Sequence, residues 1–68
     1  MTAYTVHASK DGQSVTTVRI GPTVTVAKAR ALIKEGWQVH VTDAAGQRYG
    51  VAQLDQLLTF DHIKPHNG

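Results

Sequence analysis

Two short segments of the chain alternate strictly between two classes of side chain. In Tyr4–Ala8 and in Trp37–Thr42, an aromatic residue and small apolar residues occupy every second position, and polar residues lie between them. This period of two indicates a half-buried β-strand, because successive side chains of a strand point to opposite faces of its sheet. The fold must therefore bury one face of a sheet that contains both segments.

Each segment begins a predicted hairpin. Gly12 marks a turn before a β-branched strand at Val15–Ile20, and Asp43–Gly46 has the composition of a type I turn before a strand at Gln47–Val51. Two explanations of the repeated pattern stay open. One is duplication of a ββα unit, and the other is convergence of two hairpins on the same alternation.

Two helices are predicted from apolar residues at helical spacing. The first extends from Val26 to Glu35, with Thr23 or Thr25 suited to cap its start and Gly36 suited to a left-handed cap at its end. Leucines at helical spacing predict a second, short helix at Ala52–Thr59.

The order of elements predicts an α+β fold, ββαββα, in which both helices pack on one face of a four-stranded, mostly antiparallel sheet. The strand order 2-1-3-4 is preferred, because the order 1-2-3-4 requires a parallel central pair. Residues 1–63 form one predicted domain, and residues 64–68 a flexible tail. The predicted core consists of Tyr4, Val6, Val18, Ile20, Trp37, Val39, Val41 and Tyr49, covered by Ala29, Leu32, Ile33, Leu54, Leu57 and Leu58.

Length and composition limit how such a domain is stabilised. A chain of 68 residues buries a small core, and the absence of cysteine excludes disulfides and thiolate zinc sites. Self-association is then the expected support, as a homo-oligomer. No apolar run approaches the roughly 18 residues of a membrane span, and no signal peptide precedes Tyr4, so we expect a cytoplasmic protein without membrane contact.

The charge balance is weakly basic, with seven Lys and Arg against five Asp and Glu and a pI near 9.3. This excess is compatible with an anionic ligand or with nucleic acid, although the basic residues form no run. The candidate contact residues for either ligand are His7, Arg19, Lys28, Arg30, Lys34, His40 and Arg48.

His7 and His40 occupy the predicted outward face on neighbouring strands, together with Arg19 and Arg48. One interpretation is a pH-responsive cationic patch for a phosphate or carboxylate group, since histidine titrates near neutrality. The other is an ordinary solvated sheet face, because cross-strand register is not readable from sequence.

No set of residues supports catalysis or metal binding. His62 and His66 have the spacing of zinc ligands on a helix, but Pro65 lies between them. No two carboxylates form a pair, and neither Ser9 nor Ser14 has a Gly-flanked elbow. We therefore expect no catalytic residue, no metal site and no cofactor.

The run KARALIKEGWQVHVTDAAGQRYGVAQLDQLL resembles short uncharacterised bacterial proteins with a helix ending in Gly, a strand, a D-x-x-G-[QR]-x-Y turn and a closing leucine-rich helix. This resemblance covers just under half of the chain. It implies these elements of the fold and no activity, cofactor or catalytic residue.

Three functional hypotheses follow from the sequence. The first is a non-enzymatic cytoplasmic module that acts through protein contacts as a homodimer. The second is an accessory nucleic-acid-binding protein that uses the modest basic surface. The third is an enzyme that uses His7 or His40, and it is disfavoured because no acid, base and nucleophile can be assembled.

Overall fold

The computed structural model describes residues 2–62, with side chains described as far as Leu58. Its elements follow the predicted ββαββα order, and both helices contribute to a core on one face of a four-stranded sheet, which confirms the α+β fold. The elements are β1 (Ala3–Lys10), β2 (Gln13–Ile20), α1 (Pro22–Lys34), β3 (Gln38–Thr42), β4 (Arg48–Tyr49) and α2 (Leu54–His62).

The sheet has the strand order β2-β1-β3-β4, and all neighbouring strands are antiparallel. This is the order that the sequence favours. Because α1 carries the chain from the end of β2 to β3 across one face of the sheet, β1 becomes a central strand. β2 and β4 are the two edges.

The β1–β2 hairpin turns through only two residues, Asp11 and Gly12, which both have positive φ angles (52° and 79°). Two positive φ angles at the central residues are typical of a type I′ turn, whose twist matches that of the paired strands. The turn makes Lys10 and Gln13 the closing pair, and the register continues without a bulge to the far end of the hairpin.

This register places the side chains of β2 on the faces opposite to those predicted. Arg19 lies opposite the buried Tyr4, so it faces the helices, whereas Val18 and Ile20 point away from them and are 56% and 53% exposed. The prediction of inward Val18 and Ile20, and of outward Arg19, was wrong. It followed the β-branched side chains within β2, but the two-residue turn determines which residues of β2 share a face with the core of β1.

α1 begins earlier than predicted, at Pro22 instead of Val26. Proline suits the first turn of a helix, where its missing N–H is not needed, and Gly21 precedes it with a φ of 93°. Thr25 therefore lies inside the helix and does not cap it. Its buried hydroxyl donates a hydrogen bond of 2.7 Å to the Gly21 carbonyl, so no polar group of this side chain is left unsatisfied.

α1 ends in the left-handed cap that Gly36 predicts. The Gly36 N–H donates to the Ile33 carbonyl and the Trp37 N–H to the Leu32 carbonyl, each at 3.0 Å, which is the Schellman pattern. Trp37 faces the core as predicted but is only partly buried. The Lys10 ammonium lies over the Trp37 ring, 5.8 Å from its centre, in a cation–π contact.

The second hairpin is organised by Asp43. The Gly46 N–H donates to the Asp43 carbonyl at 2.9 Å, which confirms the predicted turn. The Asp43 carboxylate accepts from the N–H groups of Ala45 and Gln47, each at 2.9 Å, and from the Tyr49 hydroxyl at 3.1 Å. A single side chain thus holds the loop and connects it to the core.

β4 is shorter than the predicted strand at Gln47–Val51. Val51 starts a short 3₁₀ turn and is 55% exposed, instead of sharing the buried face with Tyr49. The second helix begins at Leu54, two residues later than predicted, because the 3₁₀ turn precedes it. The Gly50 N–H donates to the Gln53 side-chain oxygen at 2.8 Å and so stabilises this connection.

The core lies between the helices and one face of the sheet. Leu32, Ile33, Trp37 and Leu58 pack against it but are only partly buried. Its buried apolar side chains are Tyr4, Val6, Ala8, Val26, Ala29, Val39, Val41, Tyr49, Leu54 and Leu57.

The predicted tail at residues 64–68 lies outside the described residues. Neither helix of residues 2–62 combines the length and the apolar character that a membrane crossing requires.

Replacing Leu57 with alanine is expected to unfold the protein. Truncating a fully buried leucine costs about 2–5 kcal/mol, which is comparable with the about 3–5 kcal/mol that a core of this size supplies. Leu58→Ala is the matched control, because Leu58 is only partly buried, and this variant should stay folded. A Leu57→Ala protein with the wild-type circular dichroism spectrum and melting temperature would contradict the packing of α2.

Replacing Asp43 with asparagine is expected to reduce the loss of stability in acid. The Gln47 N–H lowers the pKa of Asp43 most, and the Tyr49 hydroxyl and the Ala45 N–H lower it further, against the opposing effect of desolvation. The stabilising contribution is therefore complete above the unfolded-state pKa of about 3.9 and is lost as the pH falls through the lower folded-state pKa. Urea unfolding across this range should show a shallower decline for Asp43→Asn. An identical decline would show that Asp43 does not titrate in this way.

Candidate functional site

One face of the sheet is not covered by the helices within residues 2–62, and we call it the open face. It consists of the residues that alternate with the buried ones along each strand. Hydroxyl, amide, imidazole and guanidinium groups dominate it. Its side chains are Ala3, Thr5, His7, Ser9, Ser14, Thr16, Val18, Ile20, Gln38, His40, Thr42 and Arg48.

His7 and His40 meet at the centre of the open face. They are directly opposite each other in the β1–β3 pair, and Thr16 of β2 lies opposite His7 on the other side. The two imidazole rings are stacked, with 4.4 Å between their centroids and 13° between their planes. The expected proximity of the two histidines is confirmed.

Two further side chains define the environment of this pair. Nε2 of His7 lies 3.1 Å from Oγ1 of Thr42, a hydrogen bond whose direction depends on the tautomer of the ring. The pKa of His40 is lowered, mainly by desolvation, then by the positive charge of Arg48 and by His7. At neutral pH the face therefore combines the permanent charge of Arg48 with a neutral His40 ring.

A shallow depression of about 520 Å³ lies over this part of the open face. The two imidazoles, Arg48 and the hydroxyl side chains of Ser9, Ser14 and Thr16 line it. Among the residues that the structure describes, no carboxylate lines this depression, and the ionisable groups that do so are the two imidazoles and the Arg48 guanidinium. The depression can offer hydrogen-bond donors and positive charge to a ligand.

The basic residues of the predicted contact set do not converge on one surface. Only Arg48 joins His7 and His40 on the open face, whereas Arg19 points to the helix side and its guanidinium donates to the Val18 carbonyl at 3.0 Å. Lys28, Arg30 and Lys34 lie on α1, and Arg30 forms an ion pair with Asp55 of α2.

The strand order predicted from the sequence makes β2 an edge strand, and the structure shows which of its backbone groups point outward. The Gly21 N–H donates to the Thr2 carbonyl at 2.9 Å, and the bonds of an antiparallel ladder alternate from this point. The N–H and C=O groups of Ser14, Thr16, Val18 and Ile20 therefore point away from β1. These outward-pointing residues can be identified by counting every second residue of β2 after the Asp11-Gly12 turn, starting from Ser14.

The edge of β2 lacks most of the features that prevent strand pairing. It is eight residues long, with neither proline nor lysine, and its register with β1 contains no bulge. Arg19 is its one charged residue. Val15 adds to the exposed apolar surface of the strand on the helix side.

Metal ligation is not indicated in the part of the chain that the structure describes, where no group of three or more His, Asp or Glu side chains lies close enough to hold an ion. The His62 and His66 pair lies outside the described side chains. The expectation that the protein has neither metal nor cofactor stays a prediction.

Comparison of the chain with protein-family models, with curated proteins and with solved structures gives no match. The functional argument therefore depends on the open face and the β2 edge themselves.

The pKa of His40 should be measurably below the ordinary value of about 6.5, and Arg48→Gln should raise it. A histidine with a lowered folded-state pKa costs stability as the pH falls below its unfolded-state value, so the protein should lose stability on mild acidification. Histidine proton chemical shifts recorded against pH test both statements. Lys34→Gln, which removes an equal charge on α1, is the control and should leave the His40 titration unchanged.

Proposed function

We propose that the protein is a non-enzymatic module that acts through protein contacts, as a homodimer formed by antiparallel pairing of β2 with β2 of a second copy. The observation that carries this proposal is an eight-residue edge strand whose outer side pairs with no other strand of residues 2–62. Two of its own residues, Val18 and Ile20, are exposed apolar side chains. Unpaired strand edges are templates for pairing with another chain, and a symmetric pair uses the same surface twice.

The geometry of the edge favours one register. Hydrogen-bonded pairs must join residues whose backbone groups point outward in both copies. A two-fold axis at Thr17 pairs Ser14 with Ile20 and Thr16 with Val18 of the second copy, and it joins more outward-pointing residues than an axis at Thr16 does. The sheets of both copies then form one continuous sheet.

Charge and apolar surface support the same arrangement. With the axis at Thr17, Arg19 lies opposite Val15 of the second copy, so the two arginines are four residues apart along the ladder, about 14 Å. The side chains of Val18 from the two copies approach each other across the axis on the open face. A net charge of +2 on each copy gives only weak repulsion.

The expected dimer is weak. Pairing of one strand buries less than the roughly 1,200 Å² above which stable, specific interfaces begin. We therefore expect dissociation in the micromolar range or above, and an equilibrium that changes with protein concentration.

The other sequence hypotheses have less support. Nucleic-acid binding is favoured by a track of basic groups on one surface, but Arg48 lies on the open face, whereas Arg19 and the basic residues of α1 lie on the helix side of the sheet. The cytoplasmic location belongs to the present proposal, and a chain without cysteine needs no oxidising compartment to fold. Cell fractionation tests the location.

Two variants should weaken the dimer without disturbing the monomer. Thr16→Pro removes an N–H that points away from β1, so it blocks pairing at the edge and leaves the β1–β2 ladder intact. Val18→Lys places a charge next to its counterpart in the second copy. Sedimentation equilibrium from micromolar to millimolar concentration should show a dimer for the wild type and a monomer for both variants.

Val51→Lys is the matched control, since Val51 is as exposed as Val18 but lies far from β2 along the chain, after β4. It should dimerise like the wild type. A wild-type protein that stays monomeric at millimolar concentration would contradict the proposal, as would dissociation caused by Val51→Lys but not by Val18→Lys.

A further inference from the structure

The positively charged side chains differ in whether they have a hydrogen-bond or ion-pair partner. Arg30 has the Asp55 carboxylate, Lys10 donates to the Glu35 carbonyl at 2.7 Å, and Arg19 donates to the Val18 carbonyl. Lys28, Lys34 and Arg48 have neither a hydrogen bond nor an ion pair with any residue that the structure describes, and of these three only Arg48 lies on the open face. It is exposed at the depression of the open face, beside His7 and His40.

Three of the four strands that form this face supply an imidazole or a guanidinium, and none of the four supplies a carboxylate among its described residues. β1 supplies His7, β3 supplies His40 and β4 supplies Arg48, whereas β2 supplies only hydroxyl and aliphatic side chains. Asp11 lies in the turn and does not line the depression. The Asp43 carboxylate is engaged with its own loop and with the Tyr49 hydroxyl.

We propose that the depression over the stacked His7 and His40 rings is a binding site for a small ligand with a dianionic phosphate group. Arg48 and both imidazoles hold the phosphate group, and the hydroxyls of Ser9, Ser14 and Thr16 contact the rest of the ligand. The site shares Ser14 and Thr16 with β2, but it uses their hydroxyls on the open face, whereas the dimer uses their outward-pointing backbone groups. No covalent chemistry is involved.

The stacking geometry links ligand binding to protonation. Desolvation, the Arg48 guanidinium and the His7 ring stacked at 4.4 Å lower the pKa of His40, so protonation of His40 is unfavourable in the free protein. A dianion in the depression compensates the charge of a protonated His40 ring and favours it. Protonated imidazole donates from both nitrogens, so His40 can then donate to the ligand.

The ligand class follows from the number and type of donors. A guanidinium binds phosphate through two parallel hydrogen bonds, and a dianion matches a guanidinium beside two imidazoles better than a singly charged carboxylate does. A polynucleotide is less suited, because Arg48 is the one permanent charge on the open face within residues 2–62 and no basic track extends from it. The site therefore fits a single phosphate group on a small molecule.

Sulfate is the first probe, because it remains a dianion between about pH 5.5 and about pH 7.5, on either side of the histidine pKa of about 6.5. Chloride at equal ionic strength is the reference salt. Saturating sulfate should raise the pKa of His40 by about one unit, seen in its proton chemical shifts. Sulfate affinity should increase severalfold as the pH is lowered across this range. Inorganic phosphate at about pH 7.5, where it is largely a dianion, should cause the same chemical-shift changes.

Arg48→Gln and His40→Gln should each weaken sulfate binding by about tenfold or more, the value of one charge-assisted hydrogen bond. Lys34→Gln removes a charge from α1 and is the matched control, which should bind sulfate like the wild type. All three positions lie outside the core, and unchanged Trp37 fluorescence verifies that the variants are folded.

Three results would overturn the proposal. One is an equal response of the histidines to sulfate and chloride, and another is an equal loss of affinity in Lys34→Gln and Arg48→Gln. The third is binding of a single-stranded oligonucleotide far more tightly than phosphate at the same residues, which would identify a nucleic-acid surface. Because monomers and dimers both carry the depression, failure of the phosphate test leaves the dimer proposal to its own experiment.

Discussion

The two-residue turn at Asp11 and Gly12 is the constraint on which the arrangement of the sheet depends. Positive φ angles at both residues close the hairpin at Lys10 and Gln13, and every later pair of β1 and β2 follows from that closure. The alternation within β1 directs Tyr4, Val6 and Ala8 to the helices and His7 to the open face, and the register then leaves Val18 and Ile20 outside the core.

This register leaves β2 weakly integrated into the molecule. No residue of β2 is fully buried, so the strand is held mainly by its ladder with β1 and not by the core. Its outward-pointing backbone groups and its exposed Val15, Val18 and Ile20 are available for pairing with a second strand. The open face differs, because its central side chains are polar and Arg48 adds a positive charge that has no carboxylate partner among the described residues. The two proposed surfaces thus arise from one register but have different chemistry.

Much of the fold was predictable, because the alternation in β1 and β3, the Gly36 cap and the spacing of Leu54 and Leu57 are local signals that the core reinforces. The stacked histidines were predictable in part, since β1 and β3 were placed side by side. The faces of β2 were not, because Val18 and Ile20 satisfy an inward alternation as well as Val15 does. The sequence could not show which arginine lies beside the two histidines, since Arg19 and Arg48 both follow the pattern of an exposed strand residue and differ only in their tertiary positions.

Hydrogen exchange of the β2 amides at low and high protein concentration tests the central claim most directly, because it reports both the register and the pairing of the edge. At low concentration, the amides of Val15, Thr17 and Arg19 should be protected and those of Ser14, Thr16 and Val18 should exchange freely. At high concentration, the second group should also become protected. Protection of all these amides at every concentration, or of none beyond the first group at high concentration, would contradict the account.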